Sequence, residues 1–220
     1  MKIELAIFDI AGTLIEDHDE VSDAFFTALR NNHIEVERSE ILEWKGSAKR
    51  EVIAHFVERQ FGRCRNLQLI DRTYNEFRYE LERRYEREIR PIDGVAETLG
   101  MLRGAGTKLA TTTGFYREVR DRILCTLGWV QRFDVNVCSD DVSHGRPAPD
   151  MILRAMELCG VADAKNVLTV GDTPLDLQSG TRADCGMVVG VLTGKHTRER
   201  LEREPHTHII GSVAGLPQLL

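Results

Sequence analysis

Four short stretches of the chain carry side chains that could do chemistry together: Asp9-Ile10-Ala11-Gly12-Thr13, Thr113-Gly114, Arg146-Pro147-Ala148-Pro149-Asp150 and Gly171-Asp172-Thr173-Pro174-Leu175-Asp176. Asp9, Asp172 and Asp176 are carboxylates with no histidine among them, a hard oxygen donor set that suits Mg²⁺ better than zinc. Arg146 adds a planar cationic fork, and Thr13, Thr113 and Gly114 add hydroxyl or amide donors. A hard cation beside a guanidinium is a place to hold a phosphoryl or phosphonyl group. Each stretch alone also has a plainer reading. Asp9 fits a turn cap before Gly12-Thr13, Thr113 a cap for the next helix, and Arg146 a structural ion pair. Asp176 fits an acid favoured by a helix N-terminus.

The elements around them decide whether they converge. Ile3 to Ile10 is an apolar run with Glu4 as its one charge before Asp9, as expected of a buried parallel strand. Similar runs recur at Thr107 to Thr112, Phe133 to Val137, Val167 to Val170 and Met187 to Val191, and the first three of these end in small or polar residues. Helical patterns lie between them at Val95 to Arg103, Arg117 to Leu127, Pro149 to Leu158 and Leu175 to Ala183. Strands alternating with helices predict an α/β fold, a Rossmann-like parallel sheet covered on both faces, with the active groups at the strands' carboxyl ends. His208 to Ile210 and Val213 to Leu220 are expected to close it with a last strand and a docking helix.

Residues 17–91 have a different character. Val21, Ala24, Phe25, Ala28 and Leu29 form one apolar stripe, and Val52, Ile53, Phe56 and Val57 another. Leu67, Ile70, Tyr74, Phe77, Leu81 and Tyr85 continue the spacing through a long helix ending near Ile89, where Pro91 stops it. The Arg and Glu residues on its other faces read as a solvated surface laced by i, i+4 pairs. This is an all-helical insertion, expected to cap the sheet's carboxyl edge through a two-stranded hinge. The core is then discontinuous, residues 1–16 plus 92–220.

Composition narrows the partners. With 42% hydrophobic and 29% charged residues, the chain of 220 is a globular protein rather than a disordered or collagenous one. Its 29 basic against 35 acidic residues give a formal charge of -6, which argues against a nucleic-acid partner. Five cysteines, none in a CxxC pair, read as free thiols in a reducing compartment. Glu4 and Asp9 interrupt any signal-peptide core, and the run Cys185 to Val191 is far shorter than the roughly 20 residues of a membrane span. The expectation is a cytoplasmic protein without a membrane partner, monomer or homodimer.

All four motifs, in this order, resemble those of the haloacid-dehalogenase-like superfamily of aspartate-nucleophile phosphohydrolases, with a C1-type helical cap inserted after the first. Ala11, Thr113-Gly114 and Arg146-Pro147 make the chain most similar to the phosphonatase branch. The resemblance implies that Asp9 is a nucleophile forming an aspartyl-phosphate, and that Asp172, Asp9 and the Ala11 carbonyl bind Mg²⁺. It further implies that Asp176 orients the metal's waters or binds it directly, that Thr13, Thr113 and Gly114 contact the phosphoryl group, and that Arg146 neutralises developing charge. The substrate would be a small phosphorylated or phosphonate molecule.

Ala11 stands where commoner phosphatases of the superfamily carry an aspartate acid, and a methyl group cannot protonate a leaving oxygen. Phosphonatases instead form a Schiff base between a cap lysine and an aldehyde substrate, and Gly46-Ser47-Ala48-Lys49 matches the local pattern around that lysine, with Lys45 a weaker rival. Val52, Phe115 and Asp19 depart from the phosphonatase pattern. The readings are therefore a phosphohydrolase in which Lys49 is exposed or merely steers phosphate, a carbon-phosphorus hydrolase in which Lys49 is catalytic, and a binding or regulatory module that kept the fold. His18, His33 and His55 read as polar or core-edge residues, His144 as loop polarity or an entrance residue, and Lys195 to Arg200 as an exposed charged connector.

Overall fold

β1 (Leu5–Phe8) is a run of four fully buried side chains. Alternation along a strand sends Leu5 and Ile7 to one face and Ala6 and Phe8 to the other. Each pair joins a separate apolar layer, so β1 must lie inside a sheet covered on both sides. It does, in a computed structural model that describes residues 2–44, 47–62, 66–85 and 89–220. With β2 (Lys108–Thr113), β3 (Val135–Cys138), β4 (Val167–Gly171), β5 (Met187–Val191) and β6 (His208–Ile210) it forms one sheet in the order β3-β2-β1-β4-β5-β6. Every pair is parallel, and Leu5 sits opposite Lys108 on one side and Val167 on the other. The chain builds β2 and β3 on one side of β1 and then β4, β5 and β6 on the other. Strand order thus reverses between β1 and β4, where such sheets open a crevice at their carboxyl ends.

The chain divides into two compact units, Met1–Asp17 with Ile89–Leu220, and His18–Glu88. The second is helical: α1 (Glu20–Asn31), α2 (Arg38–Leu42), α3 (Lys49–Phe61) and α4 (Leu67–Arg84). The α1 stripe is buried as expected, and Phe25 stacks on Phe77 of α4 with ring centroids 4.2 Å apart. Asn32, just past α1, donates to Ala28 O and Glu76 and accepts from Arg72 Nε at 2.6 Å, a polar clasp between the two helices. Leu67 departs from its expected place in the stripe. It is 67% exposed, because it opens α4 a turn before the buried face starts at Ile70. The short α2, not foreseen, is fixed by a capping box between Glu37 and Glu40. Lys45, Gly46, Cys64 and residues 86–88, where the expected extension of the long helix falls, lie outside the described residues.

In the first unit, the chain leaves and returns as a hydrogen-bonded pair, Glu16 N to Arg90 O at 2.9 Å and Ile92 N to Leu14 O at 3.0 Å. Five helices follow: α5 (Val95–Gly104), α6 (Arg117–Thr126), α7 (Asp150–Cys159), α8 (Pro174–Arg182) and α9 (Arg198–Leu201). Leu99 and Leu102 of α5 pack with Phe8 and Val170 on one face of the sheet, and Met151 and Ala155 of α7 with Leu177 of α8 pack on the other. Val213–Gln218 is a 3-10 turn rather than the expected docking helix, since Pro217 removes a backbone donor, yet it still buries Val213 and Leu216. Nor is the segment from Lys195 to Arg200 an exposed connector throughout. His196 is buried, and Thr197 caps α9 by accepting from Arg200 N. Cys138, Cys159 and Cys185 are buried small hydrophobes, whereas Cys125 is exposed.

Candidate active site

Sheet register fixes where the first carboxylate starts: Asp9 follows β1, and its N–H donates to Val170 O on β4 at 2.9 Å. Asp172 is the first residue beyond β4, across the reversal in strand order. Arg146, from the loop before α7, reaches between them. Its Nη1 lies 2.7 Å from Asp9 Oδ1 and 2.9 Å from Asp176 Oδ1. Its Nη2 donates to the carbonyl and hydroxyl oxygens of Thr112 at 2.9 and 2.8 Å. All four charged side chains are buried, and Asp9, Asp172 and Asp176 each offer an oxygen within 4.8 Å of the others.

Local chemistry sets each group. Thr173 N and Oγ1 donate to Asp176 Oδ2 at 3.0 and 2.6 Å, and Asp176 N donates back to Thr173 Oγ1. Asp176 is therefore both the capping acid of α8 and a partner of Arg146. Thr13 Oγ1 donates to Asp172 Oδ1 at 3.2 Å. Gly12 N donates to Ile15 O at 2.8 Å, and because a trans peptide holds its C=O opposite its N–H, the Ala11 carbonyl points away from Ile15. Thr113 Oγ1 accepts from Phe115 N at 3.2 Å, which leaves its O–H to donate; the N-cap of α6 is Tyr116. Gly114 is buried beside it.

Lys49 belongs to the helical unit. It opens α3, is only 5% exposed and donates from Nζ to Ser47 O at 3.1 Å. The His55 ring packs tilted against Trp44 with centroids 4.4 Å apart, and His144 lies on the surface 3.0 Å from Asp150. Sequence reasoning missed Thr112, although in a run of three threonines strand alternation sets Thr112 on the face opposite Thr111 and Thr113. It also missed Thr193 and Gly194 after β5. Thr193 Oγ1 donates to Gly12 O at 2.6 Å, and no local pattern in the sequence announces that contact.

Burial pushes the Asp9 carboxyl up to about 6, with the Arg146 charge opposing the push and the Asp176 charge reinforcing it. Burial works against the Arg146 cation too, but Asp176, Asp9 and Asp172 together hold its pKa above the ordinary value. One guanidinium thus faces three buried carboxylates. Buried charge that is not balanced is costly, so the cluster calls for a further cation, and its all-oxygen donor set fits Mg²⁺.

The α/β sheet thus carries a buried cluster of three carboxylates and an arginine at its switch point. The haloacid dehalogenase-like hydrolase family matches residues 6–190, and the chain belongs to it. Among its relatives, a phosphonoacetaldehyde hydrolase of Bacillus cereus (strain AH187) is 36% identical over 88% of this chain and 77% of its own length. A probable phosphatase, IndB, of Dickeya dadantii is 31% identical over 98% of this chain and 95% of its own. In three dimensions, a phosphonoacetaldehyde hydrolase-like protein from Oleispira antarctica superposes with a TM-score of 0.87 at 24% identity, covering 100% of this chain and 91% of that one. A hydrolase from Pseudomonas syringae gives the same TM-score and identity over 98% and 97%. No helix among the described residues is long and apolar enough to cross a membrane.

Proposed function

We propose that the protein is a Mg²⁺-dependent hydrolase of a small phosphorylated or phosphonate metabolite, working through an aspartyl-phosphate on Asp9. The observation that carries this reading is the buried cluster in which Arg146 joins Asp9 to Asp176 beside Asp172. Asp9 Oδ attacks phosphorus, the bond to the leaving group breaks with its electron pair going to that group, and water then cleaves the acyl phosphate. Asp9, Asp172 and the Ala11 carbonyl would hold Mg²⁺, with Asp176 beside them. Bound there, the ion would supply positive charge to the phosphoryl oxygens. Arg146 and the Thr113 and Gly114 donors neutralise the remaining oxygens, and Thr13 holds Asp172.

Ala11 sharpens the substrate. With a methyl group two residues after the nucleophile, the leaving group must stabilise its own electrons or be helped from elsewhere. The relatives named phosphonoacetaldehyde hydrolases favour a sharper second reading, in which the Lys49 amine condenses with a substrate aldehyde and carbon-phosphorus cleavage leaves an enamine rather than a carbanion. Lys49, 5% exposed at the start of α3, would supply the amine in that reading.

The deciding experiment is steady-state turnover with Mg²⁺ on phosphonoacetaldehyde and a panel of small phosphomonoesters, with a parallel borohydride reaction. Phosphonoacetaldehyde turnover, inactivation by borohydride and a mass adduct on Lys49 would support the second reading. Phosphoester turnover with no adduct would leave Lys49 as a steering residue. No turnover on either class would overturn the proposal.

A further inference from the structure

The segment Leu192-Thr193-Gly194, between β5 and the charged stretch that starts at Lys195, lies against the metal-ligand candidates. A Cβ placed on Gly194 would fall 1.8 Å from Oδ2 of Asp172 and 2.5 Å from its Cγ. One placed on Gly12 would fall 2.5 Å from the same Oδ2 and 2.7 Å from Cγ. Oδ2 of Asp172 is therefore packed closely by two glycines from two different loops, while Thr13 Oγ1 donates to its other oxygen. Gly12 also needs its lack of a side chain for its backbone, at φ +86°. Gly194 has no such backbone, and the three atoms nearest a Cβ placed there all belong to Asp172.

We propose that Thr193 and Gly194 are positioning residues for the metal: the loop after β5 closes on the Asp9–Thr13 loop and fixes the orientation of the Asp172 carboxylate. This rests on the reading of Asp172 as a Mg²⁺ ligand. Three buried carboxylates repel one another, and without walls their cheapest arrangement is to rotate apart. The two glycine backbones packed closely against Oδ2 restrict that rotation for Asp172, so less reorganisation accompanies cation binding. The Thr193 hydroxyl acts on the second side of the site. By holding Gly12 O at 2.6 Å it fixes the peptide after Gly12, while Gly12 N on Ile15 O fixes the peptide before it. The Ala11 carbonyl, the proposed backbone ligand, is thereby held from both sides.

Mg²⁺ titrated calorimetrically into the substrate-free protein tests this. Gly194→Ala keeps the backbone accessible but drives a methyl group into the space of Asp172 Oδ2, and is expected to weaken Mg²⁺ binding about 10- to 100-fold. Gly100→Ala, on α5 with open space around it, is expected to bind as the wild type does. Thr193→Val should weaken binding and Thr193→Ser, which keeps the hydroxyl, should restore it. A merely structural role would lower the melting temperature without moving the affinity of the folded protein. Wild-type affinity in folded Gly194→Ala would overturn the proposal, as would equal affinities for Thr193→Val and Thr193→Ser. Should Gly194→Ala fail to fold, the Thr193 pair decides by itself. A wild-type protein that bound no Mg²⁺ would instead overturn the underlying reading of the carboxylate cluster.

Discussion

Arg146 Nη1 lies 2.7 Å from Oδ1 of Asp9, and both side chains are buried. A guanidinium directly on the proposed nucleophile opposes the burial that favours its protonated form, and because Nη2 is tied to Thr112 the cation stays in place for an incoming phosphoryl group.

Removing that cation strands two carboxylates. Breaking a buried ion pair from one side costs about 3–5 kcal/mol, and here Asp9 and Asp176 both lose their partner. Arg146→Ala should therefore melt well below the wild type in EDTA and recover part of the difference when Mg²⁺ is added, because a cation returns to the cluster. Differential scanning calorimetry with and without Mg²⁺ checks this; an Arg146→Ala protein as stable as wild type in EDTA would contradict it.

The raised Asp9 pKa has a definite sign. Between about pH 3.8, its ordinary value, and about 6, the native chain keeps a proton that the unfolded chain has lost. Stability from this group therefore falls as pH rises through that window and is level above it. Asp9→Asn escapes the loss, so in EDTA it should gain on the wild type in melting temperature across the window while losing turnover. Bound Mg²⁺ favours the carboxylate, so the acid limb of kcat/KM should move to higher pH as Mg²⁺ is made limiting. An acid limb insensitive to Mg²⁺ would separate Asp9 from the metal.

Much of this arrangement was legible because it is local. β5 and β6 have the ends expected from their apolar runs, and β1 and α5 to α8 fall within a few residues of theirs, whereas α9 was not foreseen. Asp9, Arg146, Asp172 and Asp176 converge because each lies at or near the end of an element whose place in the parallel-sheet fold is set by its pattern. What stayed hidden depends on tertiary contact. Gly194 is one glycine among 18, and its closeness to Asp172 exists only once β5 lies beside β4. Thr112 looks like any strand threonine until Arg146 arrives from a distant loop. Leu67 obeyed the helical spacing but opened its helix too early to be covered, and Pro217 overrode an otherwise helical tail.

Thr112 gives a test of how far Arg146 depends on its anchor. Thr112→Val keeps the shape and removes the hydroxyl acceptor at 2.8 Å, while the carbonyl acceptor remains. A lost hydrogen bond to a charged group costs about 1.5–3 kcal/mol. The guanidinium would still be held by Asp9 and Asp176, so the fold should survive. The loss should fall on kcat/KM, by about 10-fold or more for each 1.4 kcal/mol of transition-state stabilisation. Unchanged kinetics in Thr112→Val would mean that the carboxylates alone position Arg146.

Ala11 offers the most direct test of the chemistry. If the reaction is confined to leaving groups that carry off their own electrons, an acid installed two residues after Asp9 should widen it. Ala11→Asp places a carboxyl on a half-buried position whose backbone is already held through Gly12 N and Ile15 O. General acid catalysis contributes about 10²–10⁴-fold where it operates. Ala11→Asp should therefore raise kcat/KM for alkyl phosphates relative to p-nitrophenyl phosphate, whose leaving group needs little protonation, by about 10²-fold at the upper end of what a newly placed acid achieves. An unchanged ratio in a folded, Mg²⁺-binding Ala11→Asp protein would mean that the missing acid is not what limits this site, and that substrate choice is made by groups that contact the organic part of the substrate.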